Sequence, residues 1–568
     1  MSAAATPTGA APDAVTDWHS LQWKKVWHTV RRLQARIVKA VQEGRWNKVR
    51  ALVYLLTHSF AGRAVAILRV ISNRGSRTPG VDGDVWNTPE AKTAAFHALR
   101  RHGYQPQPLR RVSIPKSNGK SRPLGIPTMT DRAQQALYLL GLEPIMETTA
   151  DPNSYGFRRE RSCADALQQS FLVLSRRGSA RWVLEGDICS CFDRMSHRWL
   201  ETHIPMDKVI LHQWLKAGYL EKDAFFATTE GTPQGGIISP ALANATLDGL
   251  ETTLQQHFGA TQRQRSRNKV HLVRYADDFL ITGTSEKLLR DEVQPLVAHF
   301  LKERGLELSH EKTKITRVED GFDFLGQHVR RYGKKVLLKP STKSVRALLD
   351  KVDQVLQEQG GSLCAGLLIA RLNLILRGWA FYHRHASSTR TFARVDDLIF
   401  RKLWHWARRR HATKGARWVK EKYFTRCGHD DWVFHGIAVD GLGRKQPIYL
   451  YNTAQTGIRR HVKVQGKANP YDPTWECYFE ERLAARMADK LCGRAAAEHL
   501  WRNQEGKCPV CEQGLTLEEG WHMHHIEWRV YGGSDALYNR MLLHANCHRQ
   551  VHRRGLPMEP AASREGRL

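Results

Sequence analysis

The sequence predicts a multidomain α+β protein, an expectation that rests on its length, on the changing hydrophobic period along it, and on a compact Cys/His pattern near its end. At roughly 150 residues per domain, 568 residues correspond to about four units, and a chain of that length buries enough apolar surface to need no disulfide staples. Apolar residues recur at helical spacing over 19–70 and again over about 341–422, whereas short β-type runs occupy the middle. The 41% hydrophobic and 25% charged fractions exclude wholesale disorder and a fibrous repeat. No apolar stretch reaches the roughly 18–20 residues that span a bilayer.

In chain order, MSAAATPTGAAPDA has no basic segment followed by an apolar run, so residues 1–18 are expected to form a disordered leader rather than a signal peptide. WKKVWHTVRRLQARIVKAV and WNKVRALVYLLTHSFAGRAVAILRVI predict two or three amphipathic helices in a unit at 19–75. After the Gly/Pro-rich break NRGSRTPGVDG, the segment RRVSIPKSNGKSRPLGIPT reads as strand, basic turn and strand, with Asn118-Gly119 as the hairpin signal and a helix from about Asp131. WVLEGDI (182–188) and VRYADDFLI (273–281) read as strands carrying acidic residues, and FDFLGQHVRR (322–331) as one later strand. Basic helices fill 341–422. Residues 430–480 mix strand-like runs such as QPIYLYN with turns, and LAARMADKLCGRAAAEHLW predicts a helix leading into the Cys/His unit.

Lys and Arg number 87 against 56 Asp and Glu, a net charge of +31. Residues 331–430 hold 22 of the basic and 7 of the acidic residues, interleaved with aromatics as in WAFYHRH and RKLWHWARRR, while residues 491–568 carry 10 against 9. A basic, aromatic-rich segment of this kind suits a large polyanion such as nucleic acid. The ten cysteines are too sparse for a disulfide scaffold and indicate a reducing compartment with one metal site.

Asp187 ends one strand pattern, and Asp277 and Asp278 interrupt another. Two adjacent carboxylates are costly within a central strand, so a tight turn at Ala276-Asp277 is expected to make a hairpin that presents both acids. Three carboxylates converging from neighbouring elements can hold two divalent cations for phosphoryl chemistry, and an oxygen-rich set suits Mg²⁺.

These segments occur in an order that resembles the reverse transcriptases encoded by bacterial group II introns: TPGVDG (78–83), RRVSIPKSNGKSRPLGIPT (110–128), YGFR (155–158), EGDICSCFDRMSH (185–197), GTPQGGIISPALAN (231–244), YADD (275–278), GLELSHEKTKI (305–315) and FLGQ (324–327). The resemblance implies that Asp187, Asp277 and Asp278 are the catalytic, Mg²⁺-binding carboxylates. It also implies that Phe192 lies under the sugar of the incoming nucleotide and disfavours a 2′-hydroxyl. Lys116 and Arg122 would meet the triphosphate, Gln234 in the turn Pro233–Gly236 would support nucleotide and template, and Lys312 would stand near the active site. LRGWAFYHRH (376–385) matches the RNA-binding maturase stretch, and YDPTWECYFEERL (471–483) matches the end of a region associated with the DNA target. Arg377, Tyr382, Arg401, Lys402, Arg408, Arg409 and Arg410 are the nucleic-acid contacts this implies, with Trp379 a core residue.

Residues 508–552 follow the order C-x2-C, HH, GG, N, H-x2-C-H. Cys508, Cys511, His544 and Cys547 supply two ligand pairs, enough for a structural tetrahedral Zn²⁺ site, with His552 competing for the place of His544. The order resembles an HNH endonuclease, which implies that His525 is the general base and Asn539 its orienting partner, and that His524 and His548 hold a catalytic Mg²⁺ or Mn²⁺ ion.

Taken together the resemblance implies a right-hand polymerase with a helical thumb and a small ββα-metal HNH zinc domain. Its parts are a leader at 1–18, an N-terminal helical extension at 19–75, fingers and palm at 76–335, a thumb/maturase domain at 336–428, a DNA-binding region at 429–490 and a nuclease at 491–568. The implied partners are group II intron RNA, target DNA and dNTPs, with no membrane, in the bacterial cytoplasm or on the nucleoid. The implied function joins reverse transcription, splicing assistance and target-strand nicking. A reverse transcriptase recruited to another role such as phage defence, or a binding-only maturase, is the alternative.

Overall fold

The computed structural model describes residues 17–558 except 116–118, 120, 223, 358–362, 429, 440–444, 492–494, 517, 528–533 and 535. Nearly all of the expected leader, Lys116 and Asn118 of the basic turn lie outside the described residues. The N-terminal part is a 3-10 turn (Trp18–Ser20) followed by α1 (Trp23–Gln42), α2 (Trp46–His58), α3 (Phe60–Ser72) and α4 (Pro89–Ala98). The central body continues with β1 (Leu109–Pro115), β2 (Ser121–Ile126), α5 (Met129–Thr149), α6 (Cys163–Ser175), β3 (Trp182–Gly186), α7 (Cys191–Arg194), α8 (His197–His203), α9 (Lys208–Leu215), β4 (Tyr219–Glu221) and β5 (Ala224–Phe226). Helices α10 (Ser239–Leu247), α11 (Leu250–Phe258) and α12 (Gln262–Asn268) precede the hairpin β6 (Leu272–Tyr275) and β7 (Asp278–Gly283). There follow α13 (Glu286–Leu288), α14 (Gln294–Lys302), β8 (Lys314–Arg317), β9 (Phe322–Phe324), β10 (Gln327–Tyr332) and β11 (Lys335–Pro340).

The basic region is a bundle of α15 (Thr342–Gln357), α16 (Ala365–His383), α17 (Thr389–Arg410) and α18 (Ala416–Tyr423), extended by the sheet of β12 (Phe424–Cys427), β13 (Asp430–Val439) and β14 (Lys445–Tyr449). The chain ends in α19 (Glu476–Leu491), α20 (Ala495–Asn503), β15 (Trp521–His525), β16 (Arg540–His544) and α21 (Ala545–Arg554).

The central sheet has the antiparallel order β6-β7-β3-β8. Its two faces feed separate cores: Leu184, Leu272, Phe279 and Ile281 pack on one side, and Val183, Val273 and Leu280 on the other. Burial on both faces is why these strands read as continuous apolar runs rather than as alternating ones. Helix α5 is buried on nearly all sides because α1, α2, α3 and α10 surround it. Its start is capped by Thr128, whose hydroxyl accepts from the Asp131 amide at 3.1 Å.

One expectation changes. FDFLGQHVRR is not one strand: Leu325 and Gly326 adopt positive φ (45° and 72°), so β9 turns back onto β10 with Gln327 opposite Phe324. An apolar run interrupted by a left-handed pair is a hairpin. The C-terminal unit shares its core with the N-terminal helices. Leu500, Trp501, Leu542, Leu543 and Val551 belong to the same buried cluster as Trp18, Trp23, Ile37 and Ile67 of the N-terminal helices, because a unit of this size cannot bury its apolar faces alone.

Residues 461–482, in the expected DNA-binding region, return to the central body at α5 and α6. Val464 N donates to Asp165 at 2.7 Å, and the Tyr471 hydroxyl to Glu143 at 2.6 Å. Among the described residues no single helix is long and apolar enough to cross a membrane.

Candidate active sites

Tyr275 pairs with Asp278 across the β6–β7 hairpin, and Ala276 takes a left-handed φ of 58°, which makes the expected tight turn. The turn is braced from below. Gly156, in YGFR, lies so close that a Cβ there would come within 2.3 Å of the Ala276 nitrogen, and Tyr155 N donates to Arg274 O at 2.9 Å. Buried Arg274 reaches Asn244 at 3.2 Å and pairs with Asp248, which ties the hairpin to α10. Asp187 directly follows β3, where Gly186 stands opposite Phe279; a Cβ at Gly186 would enter that ring. The chain after Asp187 is pinned by Ser309 N donating to Asp187 O at 2.8 Å, and this brings Lys312 Nζ to 2.7 Å from the Asp187 carboxylate.

The three carboxyls feel one another. Burial and the Asp187 charge raise Asp277 above its ordinary range against the opposing pull of Arg122 and Lys312. Asp278 is pushed up to about 6 by burial and then by Asp277 and Asp187. The Cys191 thiol is pushed up to about 12 by burial and then by the Asp277 charge. Excess negative charge in one partly desolvated place is the donor chemistry that divalent cations satisfy, so these residues fit Mg²⁺.

Around them the structure places the remaining nucleotide-site candidates. Arg122 is exposed on β2 opposite Ile114. Phe192, on α7, meets Phe157 edge to face with centroids 6.3 Å apart. Gln234 sits in a turn that docks on β2, its carbonyl accepting from Gly125 N at 2.7 Å.

In the C-terminal unit β15, β16 and α21 form a ββα arrangement. Cys508, Cys511, His544 and Cys547 bring one ligand atom each to within 4.8 Å of one another, so His544 takes the fourth place. His544 Nδ1 faces Cys511 Sγ at 3.3 Å, while Nε2 meets Gly514 O and the Glu519 carboxylate, both at 3.2 Å. A carboxylate behind a ligating imidazole fixes its tautomer and orientation, and Glu519 was not among the sequence candidates.

His552, expected to compete for that place, stands elsewhere: it joins His524 and His548 in a second cluster, again within 4.8 Å. Its sequence signal was the four-residue spacing from His548, which puts both rings on one face of α21. Both nitrogens of His524 are buried without a hydrogen-bond partner. Burial and the neighbouring imidazoles hold His524 and His548 down at about 4. Three clustered imidazoles, one with orphaned nitrogens, fit a divalent cation. His525, the next residue on β15, is directed by strand alternation to the opposite face. Asn539 clasps the loop after β15, accepting from Glu527 N at 2.8 Å and donating to Ser534 O at 2.7 Å.

The nucleic-acid candidates divide. Arg408 and Arg409 are exposed, and Arg401 makes only a surface pair with Asp397 at 3.0 Å. Lys402 is held between helices by Asp353 at 2.6 Å, and Arg410 is bonded to Leu363 O. Arg377 lies over the Tyr451 ring at 5.1 Å, and the Tyr382 hydroxyl donates to Leu325 O at 2.7 Å. Trp379 packs in the bundle core as expected, with its Nε1 on Ser344 Oγ at 3.1 Å.

Four family models match this chain: "N-terminal domain of reverse transcriptase" over 18–99, "Reverse transcriptase (RNA-dependent DNA polymerase)" over 114–329, "Group II intron, maturase-specific domain" over 345–424 and "HNH endonuclease" over 508–554. Protein YkfC of Escherichia coli is 38% identical over 300 residues, covering 46% of this chain and 78% of that protein. The group II intron-encoded protein LtrA of Lactococcus lactis is 33% identical over 365 residues, covering 51% of this chain and 60% of LtrA. A 91 kDa protein in the cob intron of Schizosaccharomyces pombe is 26% identical over 581 residues, covering 86% of this chain and 68% of it. Among solved structures, telomerase from Candida albicans in complex with a telomeric RNA fragment is 14% identical with a TM-score of 0.33, covering 56% of this chain and 61% of that one. The chain therefore belongs to the group II intron-encoded proteins, joining an RNA-directed DNA polymerase and an intron maturase domain to an HNH endonuclease.

Proposed function

We propose that this chain binds its intron RNA, assists its splicing, nicks one strand of a DNA target with the histidine-bearing ββα unit, and extends the new 3′-hydroxyl at Asp187, Asp277 and Asp278. The observation that carries the reading is the presence in one chain of both constellations: Asp187 at the end of β3 with Asp277 and Asp278 at the braced hairpin on the neighbouring strand, and a partly buried histidine trio beside a closed Cys3His set.

At the polymerase site Asp187, Asp277 and Asp278 would hold Mg²⁺, which when bound would supply activation of the primer hydroxyl and stabilisation of the leaving oxygen. The chain's own residues do the positioning. Lys312 neutralises Asp187 and, with Arg122, provides positive charge for the triphosphate. Phe192 serves as the aromatic ring that disfavours a 2′-hydroxyl, and the Gln234 turn supports the templating side. At the nuclease His525 takes the proton from water, Asn539 keeps the loop beside it in place, and His524, His548 and His552 hold the cation at the scissile phosphate. The zinc set holds the unit together, and the exposed arginines of α17 meet RNA phosphates.

Paired substitutions test this. Asp277→Asn should abolish primer extension on an RNA template while nicking persists, and His525→Ala should abolish nicking while extension from a supplied primer persists. Extension surviving the first substitution, or both activities failing in the second, would overturn the assignment.

A further inference from the structure

The end of the palm sheet opposite the carboxylates carries an unexplained concentration of positive charge. Arg176 and Arg177 follow α6 and precede β3; Lys269 and His271 follow α12 and precede β6. They line an open cleft of about 360 Å³ together with Ser179 and Gln169. Helix α12 adds exposed Arg263 and Arg267, four residues apart on one face. The cleft is closed on one side by Lys269, whose ammonium donates to Gly178 O. Among the described residues no carboxylate lines it, and none of the four arginines has an ion-pair partner.

This distinguishes them from Arg181 and Arg331 nearby, which Glu319 serves. Arg176, at the C-cap of α6, offsets the helix dipole there. That accounts for one cation and leaves three.

Its place in the fold says which polyanion it suits. Asp187 follows the last residue of β3 and Asp277 sits at the far tip of the β6–β7 hairpin, so at roughly 3.3 Å per residue the cleft lies about 20 Å from the carboxylates, at the strands' other end. The nuclease unit packs on the N-terminal helices. Neither a primer at the carboxylates nor a duplex at the histidines needs a contact here. A large folded RNA has phosphates to spare for a remote surface, and dispersed cations without stacking aromatics suit the backbone of helical RNA.

We infer that the cleft between the end of α6 and residues 269–271, together with the neighbouring arginines of α12, is a second RNA-binding surface, engaging the phosphodiester backbone of the intron RNA apart from the maturase bundle. This rests on the proposed function. The test compares the full-length parent with R176Q/R177Q and R263Q/R267Q, using RNA transcribed from the DNA flanking the reading frame and duplex DNA of equal length as probes. The expected result is a roughly tenfold weaker RNA affinity for each variant near physiological salt and a salt slope shallower by about 1 to 2, with short-template primer extension unchanged. Unaltered RNA affinity and slope in variants of a parent that binds RNA would overturn the cleft alone. A loss confined to the DNA probe would overturn its assignment to RNA. A parent that binds neither RNA nor supports splicing would overturn the functional reading together with the cleft.

Discussion

Trp18 donates its indole N–H to the Asn546 side chain at 3.2 Å across 528 residues of sequence. Trp18 is 1% exposed and packs on Trp23 and Phe96, and beside it the Gln550 amide lies within hydrogen-bonding distance of the carbonyls of His19 and Leu21. The N-terminal strap thus grips one face of α21, while the other face carries His548 and His552. The turn at Trp18–Ser20 holds the helix that carries His548 and His552.

Trp18→Ala should therefore cost about 3–5 kcal/mol of local stability and loosen the nuclease from the body. The expected outcome is faster proteolysis between residues 492 and 558 and weaker nicking, with extension of a supplied primer retained. Extension failing in parallel would mean that the strap supports the whole molecule rather than the nuclease.

Gly156→Ala should damage polymerisation without touching metal-binding groups. The added methyl meets the Ala276 backbone, which cannot rotate away, so the Asp277 turn must shift. A displacement of that order lowers extension by something like a hundredfold while nicking stays at the parental rate. Steady-state extension assays on an RNA template decide it.

Acid should reveal the shared charge of the three carboxylates. Asp278 titrates near 6, against an ordinary value of 3.8, so protons compete with cations for it as pH falls through about 6. Extension at limiting Mg²⁺ should be lost there, with the acid limb moving to lower pH as Mg²⁺ rises. Because the folded value is raised, ionisation of this group costs stability. Asp278→Asn should raise the Tm of metal-free protein at about pH 7, and the gain should vanish below about pH 4, where folded and unfolded states are both protonated.

The two metal clusters should be separable. His552→Ala should weaken Mn²⁺ binding about tenfold or more and suppress nicking at low Mn²⁺, with recovery at higher metal, while the protein keeps one zinc per chain. Cys511→Ala should lose the zinc itself and unfold the ββα unit. Zinc content and manganese titration of both variants check this.

Much of the polymerase site was legible in the chain because its chemistry is local. Two aspartates cannot sit in mid-strand cheaply, so YADD had to be a turn, and the structure places it there. The Cys/His spacing likewise contained both ligand pairs of the zinc set. The assignment of His552 was not legible, since both of its candidate partners lie within one helical turn or so and only the pitch of α21 against β15 separates them. The hairpin at Leu325-Gly326 was missed because a two-residue reversal inside an apolar run leaves the run's composition intact. Lys402 and Arg410 looked like free RNA contacts for a similar reason: charge is visible in sequence, but its partners, Asp353 and the Leu363 carbonyl, are set by helix packing.

By itself the sequence determined which chemistries the chain can perform, since carboxylates, imidazoles and thiols at fixed spacings have few physical uses. Only the tertiary structure decided how those chemistries are held together. Burial is a property of the whole chain: Trp18 becomes a core residue only when α21, more than five hundred residues away, closes over it, and Asp187 acquires Lys312 only because the backbone at Ser309 bonds to its own carbonyl.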